Sequence, residues 1–350
     1  MKCLIYSDIH FSQDSSIIRG MGKKYSVRLE QLIKSLNWAE ELAEKEKCDV
    51  IFNLGDTFDK SILNSMEISA LKEIKWSNIE HYVLVGNHDS NIHSLEYNVS
   101  EVLSRIPNFK IISQPQEIVW EDTLFCFLPY IVEENRKDLK EYLNKEKYKS
   151  LNIKKFIALS HNDIKNFQFG KFKSTEGFSV QNIEEEFDLF LNGHLHTPSF
   201  LTEKIINVGN LCGQNFSEDN FKTTHNAWIL DTGTLQLTPY ENPYSFNFYK
   251  LEIDDKHPSL SDYNFKNNAV LMIKCDRKYY GKLNEEIKNY NNIINAYRII
   301  VYDNNIVNKN ANNIKIEKVD YIKTFNDFII NNLGNSDLII EELNIICKKG

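Results

Sequence analysis

Tyr82-Val83-Leu84-Val85-Gly86-Asn87-His88-Asp89 joins a run of apolar residues directly to a polar tetrad. A short apolar run bounded by Gly is typical of a buried strand, and four polar residues at its tip have little packing purpose. In an open α/β sheet, the carboxyl ends of the strands share one edge, and ligands bind in the crevice outside it. This stretch therefore predicts an α/β fold and the edge at which the functional residues meet.

Four other motifs repeat this arrangement. They are Asp8-Ile9-His10 after Cys3 to Ser7, Gly55-Asp56 after Val50 to Leu54, Ser160-His161 after Phe156 to Leu159, and Gly193-His194-Leu195-His196 after Phe187 to Leu191. Alone, Asp-x-His and Gly-Asp are weak signals, because a turn after a strand explains each. His161 alone could equally be a core histidine. Coincidence does not explain all five motifs in this order.

The residue types in these motifs match the ligands of a two-metal site. Asp, His and Asn supply donors that suit Mn²⁺, the expected ion, and also Mg²⁺, iron or zinc. A carboxylate that bridges two cations about 3.5 to 4 Å apart creates a clamp for hydrolysis of a phosphoryl ester. Asp56 is the expected bridge. One metal is expected on Asp8, His10 and His196, and the other on Asn87, His161 and His194.

His88 and Asp89 are predicted to be catalytic. Because Asn87 already points a ligand inward, His88 is left to face the substrate, where it could protonate the leaving oxygen or stabilise charge on the phosphate. Asp89 is expected to orient His88 by accepting its second ring proton. The other histidines are interpreted as three surface residues, His81, His93 and His257, and a polar-loop residue that could touch substrate, His225.

Composition is that of an ordinary globular protein. The chain has 350 residues, 42% hydrophobic and 26% charged, which is enough for one large domain with smaller appendages. A carboxylate follows the first few apolar residues, so no signal peptide is expected, and no apolar run reaches the roughly 18 residues of a membrane span.

The six cysteines show no paired spacing, which favours buried thiols in a cytoplasmic protein. The net charge of -8 argues against a generally basic nucleic-acid surface but allows a local one.

Periodicity divides the chain into three predicted regions. Helical spacing from Ser26 to Lys47 predicts a β-α-β opening, and further helices are expected over Ser65 to Trp76 and Ser94 to Arg105. Aromatic and prolyl residues around Pro239 to Lys256 indicate a boundary. The predicted regions are a main domain at 1–245, a small strand-helix-strand domain at 246–315 and a helical tail at 316–350.

The five motifs resemble those of the calcineurin-like metallophosphoesterase superfamily over roughly residues 1 to 230. Gly55-Asp56-Thr57-Phe58-Asp59 is followed by Lys60-Ser61, where protein phosphatases normally carry Arg. This pattern is similar to the nuclease branch, the SbcD and Mre-eleven type of DNA repair subunit. In length and layout the chain also resembles the recombination endonuclease subunits of T-even-like phages. The resemblance implies an α/β sandwich of two mixed sheets flanked by helices, with an α+β capping domain and a helical C-terminal tail.

The resemblance also implies an activity and partners. It implies Mn²⁺-dependent exonuclease action on double-stranded DNA ends and endonuclease action on single strands or hairpins, in recombination and repair. The tail would dock on an ATPase of the SbcC or Rad-fifty type, and helices near residues 62–76 and 93–106 would join a homodimer. Phosphate contacts are expected from Arg19, Lys23, Lys24, Lys165, Lys171 and Lys173, although a solvated charged loop explains each equally well.

Two other functions stay open from the sequence. The same site could serve a phosphodiesterase or phosphatase that acts on a small molecule or a protein, and substrate preference would separate that enzyme from a nuclease. A metal-poor binding scaffold on the same fold would lack some ligands. Every expected ligand type is present here, which disfavours the scaffold.

Overall fold

The computed structural model describes residues 1–91, 94–169 and 172–303. Within it, Met1–Val301 forms one compact unit. The predicted tail at 316–350, the last part of the predicted capping domain, His93 and Lys171 lie outside the described residues.

A six-stranded mixed sheet carries the first three motifs. In spatial order its strands are β16 (Gln236–Glu241), β15 (Asn226–Asp231), β1 (Lys2–Tyr6), β2 (Val50–Asn53), β3 (Glu80–Leu84) and β6 (Phe109–Ile112). β1, β2, β3 and β6 are parallel, whereas β15 is antiparallel to both of its neighbours. Asp8, Asp56 and Asn87 therefore follow the carboxyl ends of three adjacent parallel strands.

A second six-stranded sheet carries the other two motifs. Its spatial order is β13 (Ser199–Phe200), β14 (Ile205–Asn207), β12 (Leu189–Asn192), β9 (Lys155–Ser160), β8 (Thr123–Leu128) and β7 (Gln116–Trp120). The four inner strands are parallel and the two edge strands are antiparallel. His161 follows β9, and His194 and His196 follow its neighbour β12.

The two sheets pack face to face around an apolar core. Ile5 and Phe52 from the first sheet share one buried cluster with Phe127, Leu159 and Leu191 from the second. Burial of each such side chain stabilises the fold by about 1.5–3 kcal/mol. Helices α1 (Val27–Lys45) and α2 (Ser65–Leu71) contribute to the core on the outer face of the first sheet, and α3 (Leu139–Tyr142) and α4 (Val180–Glu186) to that of the second. The predicted layered α/β sandwich is confirmed.

The helix predicted over Ser94 to Arg105 is wrong in its first half. The structure has strand β5 (Ser94–Asn98), paired with β4 (Ser90–Asn91), and only then a 3-10 helix, Val99–Arg105. The Val99 amide donates to the Asp89 carbonyl, which ties the start of the 3-10 helix back to the polar tetrad. α2 is also shorter than predicted and ends at Leu71.

A third, three-stranded sheet lies in the C-terminal part of the described chain. It consists of β17 (Asn247–Ile253), β18 (Ala269–Asp276) and β19 (Ile293–Tyr302), with α5 (Tyr280–Asn289) between the last two strands. Tyr249, Leu271 and Leu283 form a core of its own, while Phe248 and Val270 join the core of the main domain. These elements follow one another in the predicted order of strand, helix and strand. The small capping domain and its boundary at residue 245 stay predictions.

Short elements complete the described chain. They are the ribbon β10 (Gln168–Phe169) with β11 (Phe172–Lys173), and the 3-10 helices Glu133–Asn135, Lys145–Tyr148, Leu260–Asp262 and Arg277–Tyr279. Among the residues described, no helix combines the length and apolarity that a membrane crossing requires.

Candidate metal centre

The structure brings all seven predicted ligands together at the shared carboxyl edge of the two sheets. Three groups have donor atoms within 4.8 Å of one another: Asp8 with His10 and His196; His10 with Asp56 and His88; and Asp56 with His161 and His194. The Asn87 side-chain oxygen lies 3.0 Å from His194 Nδ1. Asp56 Oδ2 stands between His10 Nε2 at 3.8 Å and His161 Nε2 at 3.2 Å. The centre thus has two halves that meet at Asp56.

Four residues of this centre adopt left-handed backbone conformations. The φ angles are 52° at Asp8, 49° at His10, 48° at Asp56 and 74° at His194. Each such residue costs on the order of 1–3 kcal/mol and persists only where its surroundings hold it. Two backbone hydrogen bonds do so here, from Asp8 N to the Gly55 carbonyl and from His10 N to the Asp56 carbonyl, both at 3.0 Å. Strain of this kind is a feature of functional sites.

Two glycines allow the loops to approach this closely. A Cβ atom on Gly86 would lie 2.1 Å from Asp56 Oδ1, and one on Gly55 would lie 2.5 Å from His161 Nδ1. Gly55 also has a φ of 108°, which side chains rarely permit. Gly55 and Gly86 are therefore required, because each closely approaches a ligand side chain from another motif.

Each histidine of the centre has one ring nitrogen facing the other ligands and one facing an oxygen. The outward contacts are His161 Nδ1 to the Leu54 carbonyl at 2.7 Å, His196 Nδ1 to Glu218 Oε1 at 3.2 Å, His10 Nδ1 to Asp59 Oδ1 at 3.4 Å and His194 Nε2 to Asp163 Oδ2 at 3.6 Å. Such contacts fix the tautomer and the ring orientation of metal-binding histidines. The inward nitrogens of His10 and His196 lie only 3.1 Å apart.

Three buried side-chain atoms of the centre have no hydrogen-bond partner. They are Asp8 Oδ1, His161 Nε2 and His10 Nδ1, the last of which faces Asp59 Oδ1 at 3.4 Å. A buried polar atom without a partner costs about 1–3 kcal/mol, and more when it is charged. A divalent cation would satisfy Asp8 Oδ1 and His161 Nε2, and oxygen and imidazole donors suit such cations. The residues therefore fit a pair of metal ions.

The electrostatics of the centre favour positive charge at Asp56. Burial opposes ionisation of this carboxyl, but the facing His161 and His10 hold its pKa well below the usual range. Burial likewise opposes protonation of His161, yet the Asp56 carboxylate raises its pKa to about 9. Burial lowers the pKa of His10, which favours the neutral imidazole that binds metals.

His88 and Asp89 do not pair with each other, contrary to the expectation from the sequence. His88 is exposed at the rim, and its Nδ1 lies 3.0 Å from the Asp59 carbonyl. Asp89 is fully buried and accepts from the backbone amides of Gly86 at 2.9 Å and Phe58 at 2.8 Å. Buried amides require acceptors, so Asp89 holds the loop that carries Asp56. Burial raises the pKa of Asp89 to about 6.

The motifs that build this centre lie within a segment matched by a known family model. Residues 1–198 match the model described as calcineurin-like phosphoesterase. The chain belongs to this family. Its members use a dinuclear metal site, so the expected enzyme class, a metal-dependent hydrolase of phosphoester bonds, is confirmed.

Two curated relatives of this phosphoesterase match over most of their length. The DNA double-strand break repair protein Mre11 of Sulfolobus acidocaldarius is 23% identical over an alignment of 372 residues, gaps included. The alignment covers 99% of this chain and 94% of that protein. Exonuclease subunit 1 of Enterobacteria phage T4 is 21% identical over 334 residues, 91% of this chain and 90% of that protein. A solved archaeal phosphodiesterase is 16% identical, with a TM-score of 0.35, and covers 69% of this chain and 99% of that one. The expected resemblance to the SbcD and Mre-eleven type is confirmed.

Two histidines outside the metal centre are not where the sequence suggested. His81 is not on the surface: it is buried against Glu40, with 2.9 Å between Nε2 and Oε1. His225 is also buried, between the Asn210 and Asn220 side chains, and does not face a substrate. The five described cysteines are buried and free, as expected: Cys3, Cys48, Cys126, Cys212 and Cys275.

Sequence reasoning missed the residues that orient the ligands of this phosphoesterase. Asp59 and Asp163 lie close in sequence to Asp56 and His161, so their position after a motif was an available signal. Glu218 and Arg28 do not follow a motif. Glu218 lies in a long loop and Arg28 in helix α1, and the fold places both beside the ligands. Arg28 donates to the His10 carbonyl at 3.1 Å.

Proposed function

We propose that this phosphoesterase is a Mn²⁺-dependent DNA nuclease subunit that hydrolyses phosphodiester bonds with two metal ions. The observation that carries the proposal is the position of Asp56 between two sets of donors. The names of the two relatives, a DNA break repair protein and an exonuclease subunit, support DNA as the substrate. Both relatives align over nearly the whole chain, including the residues beyond the phosphoesterase motifs.

The proposed ligands divide between the two halves of the centre. Asp8, His10 and His196 would hold one ion, Asn87, His161 and His194 the other, and Asp56 both. Two ions held in this way supply an activated water and neutralise charge on the attacking and leaving oxygens. The unpartnered oxygen of Asp8 and nitrogen of His161 support this division.

His88 is proposed as the proton donor to the leaving oxygen. Its ring lies at the rim, with its centroid 4.7 Å from that of His10. Nδ1 donates to the Asp59 carbonyl, so Nε2 is the nitrogen that can exchange a proton with substrate. The His88 amide also donates to Asp56 Oδ1 at 2.9 Å, which fixes the ring beside the ligands.

The proposed assembly includes an ATPase and a second copy of the chain. An SbcC or Rad-fifty type ATPase is proposed to dock on the tail, and deletion of the residues after Tyr321 should abolish its binding. Ile62, Ile68 and Tyr97 are exposed apolar residues in or beside the proposed dimer segments, which supports a homodimer there. The reduced, buried cysteines support a cytoplasmic location.

Substrate preference tests the proposal against a phosphatase or phosphodiesterase of small molecules or proteins. Purified protein with Mn²⁺ is expected to cut duplex ends and hairpins, and bis(p-nitrophenyl) phosphate serves as the comparison substrate. Asp56→Asn is the control for contaminating nucleases. Hydrolysis of the small ester without any DNA cleavage, even with the ATPase present, would contradict the nuclease proposal. It would support the phosphatase or phosphodiesterase instead.

A further inference from the structure

Three depressions that share lining residues lie at and beside the metal centre. The first, of about 500 Å³, contains His10, His88 and Asp59 in its lining. The second, of about 570 Å³, shares Asp59 and His88 with the first and extends to Tyr130. The third, of about 490 Å³, also contains Tyr130. A strand whose reacting phosphate lies beside His88 would therefore continue into the third depression.

The third depression has the composition of a site for a flat aromatic ring. Its lining includes Tyr130, Tyr142, Pro115, Ile131 and Val132 as aromatic or apolar walls, and Gln114, Asn135 and Lys137 as polar groups. Aromatic walls stack a base, amides hydrogen-bond its edge, and an ammonium group pairs with the adjoining phosphate. No described lining residue is a carboxylate, which disfavours a cationic ligand. The volume lies within the range of small-ligand sites.

Hydrogen bonds hold the wall of this depression to the metal centre. The Arg136 guanidinium donates to Asn162 Oδ1 and to the Ile131 carbonyl, both at 3.0 Å. Asn162 directly follows the ligand His161. The Tyr142 hydroxyl accepts from the Lys137 amide at 2.9 Å. The wall is thus ordered before a ligand arrives, which lowers the entropic cost of binding.

We propose that the third depression is a nucleobase subsite, which takes the unstacked base of a nucleotide beside the scissile phosphate. The proposal rests on the proposed nuclease function and specifies its substrate as a strand whose bases are unpaired near the cut. Tyr130 connects the two sites, because its ring centroid lies 6.0 Å from that of His194. Extrusion of a base costs least where the base is unpaired or mismatched. Frayed or mismatched ends are therefore cut faster than fully paired ends.

Single abasic substitutions test the subsite position by position. A set of single-stranded oligonucleotides carries one abasic nucleotide at successive positions and is cut with Mn²⁺. In the wild-type protein, the rate of cleavage at a given phosphate falls roughly ten-fold when the abasic nucleotide is the one that would fill the subsite, as expected for loss of one stacked base. Abasic nucleotides several positions away have little effect.

Two variants show whether this penalty arises at the subsite. Tyr130→Ala removes the stacking wall, and Asn135→Trp fills the cavity from an exposed position. Each variant cuts the intact oligonucleotide slowly, and the abasic nucleotide then adds no further penalty. Asn152→Trp, the same change at an exposed residue outside the three depressions, retains the wild-type pattern.

The outcomes separate the subsite from the proposed function. Equal tolerance of abasic nucleotides at every position, or an unchanged penalty in both variants, contradicts the proposed subsite. Either result leaves the proposed nuclease function unaffected. Failure of the wild-type protein to cut any oligonucleotide overturns the nuclease and the subsite together.

Discussion

Two buried histidine–carboxylate pairs in this chain have similar contacts but differ in whether their remaining polar atoms have hydrogen-bond partners. Glu40 and His81 lie 2.9 Å apart, and His81 Nδ1 contacts the Ile79 carbonyl at 2.8 Å. The second Glu40 oxygen accepts from the Ser77 amide and hydroxyl. Asp56 and His161 lie 3.2 Å apart, but there the inward His161 nitrogen has no hydrogen-bond partner. Burial of such a pair therefore does not identify a metal site.

The backbone separates the two pairs as clearly as the hydrogen bonds do. Glu40 lies in the regular helix α1, whereas Asp56 has a φ of 48°, and Gly86 and Gly55 closely approach Asp56 and His161 respectively. The Glu40–His81 pair has hydrogen-bond partners for its ring nitrogens and carboxylate oxygens and stabilises the fold. The second pair is held in a strained arrangement that leaves donors for cations. The following changes test this difference, from the largest expected effect to the smallest.

Asp56→Ala should remove both metals and almost all activity. A bridging carboxylate supports several kcal/mol of transition-state stabilisation, so the rate should fall by more than about 10³-fold. Phosphodiester hydrolysis and metal content measure the loss. Retention of two metals per chain in this variant would show that Asp56 is not the bridge.

His88→Ala should keep both metals and lose turnover. Removal of a general acid lowers the rate by about 10²–10⁴-fold. Rates with Mn²⁺ and metal content on the same sample separate this result from that of Asp56→Ala. His257→Ala, at an exposed histidine in the third sheet region, is the matched control and should keep the wild-type rate. Wild-type turnover in His88→Ala would refute the assigned role.

His81→Leu should destabilise the fold without affecting the metals. It leaves the Glu40 carboxylate buried without its partner, which costs about 3–5 kcal/mol in the free energy of unfolding. Denaturant titration measures this loss. The double variant His81→Phe with Glu40→Met should recover much of it, since paired apolar replacements are often near neutral. A drop in metal affinity of the folded single variant would mean that the two pairs are not independent.

Glu218→Gln should weaken metal binding at the His196 half by about 10–100-fold. The amide retains the shape of the side chain but loses the charge that orients His196 at 3.2 Å. Calorimetric titration with Mn²⁺ should show one weakened site and one unchanged site. Glu203→Gln, at an exposed position, is the matched control. Equal weakening of both sites would instead indicate a general electrostatic effect.

The sequence predicted the ligands because their signal is local. Polar residues at strand ends, with a Gly to allow close approach, identified the edge and the residues on it. The contacts made by Asp89 and His81 were not predictable in this way. Both depend on partners distant in sequence, the amides of Thr57 and Phe58 for Asp89 and α1 for His81. The helix predicted at Ser94 failed for a different reason, since the pairing of β5 with β4 overrides its helical periodicity.

The central claim is that this centre holds two divalent ions that share Asp56. Anomalous diffraction from crystals grown with Mn²⁺ tests it most directly. We expect two peaks at the carboxyl edge of the sheets, one among Asp8, His10 and His196 and one among Asn87, His161 and His194. A single peak, or two peaks that do not share Asp56 as a ligand, would contradict the claim.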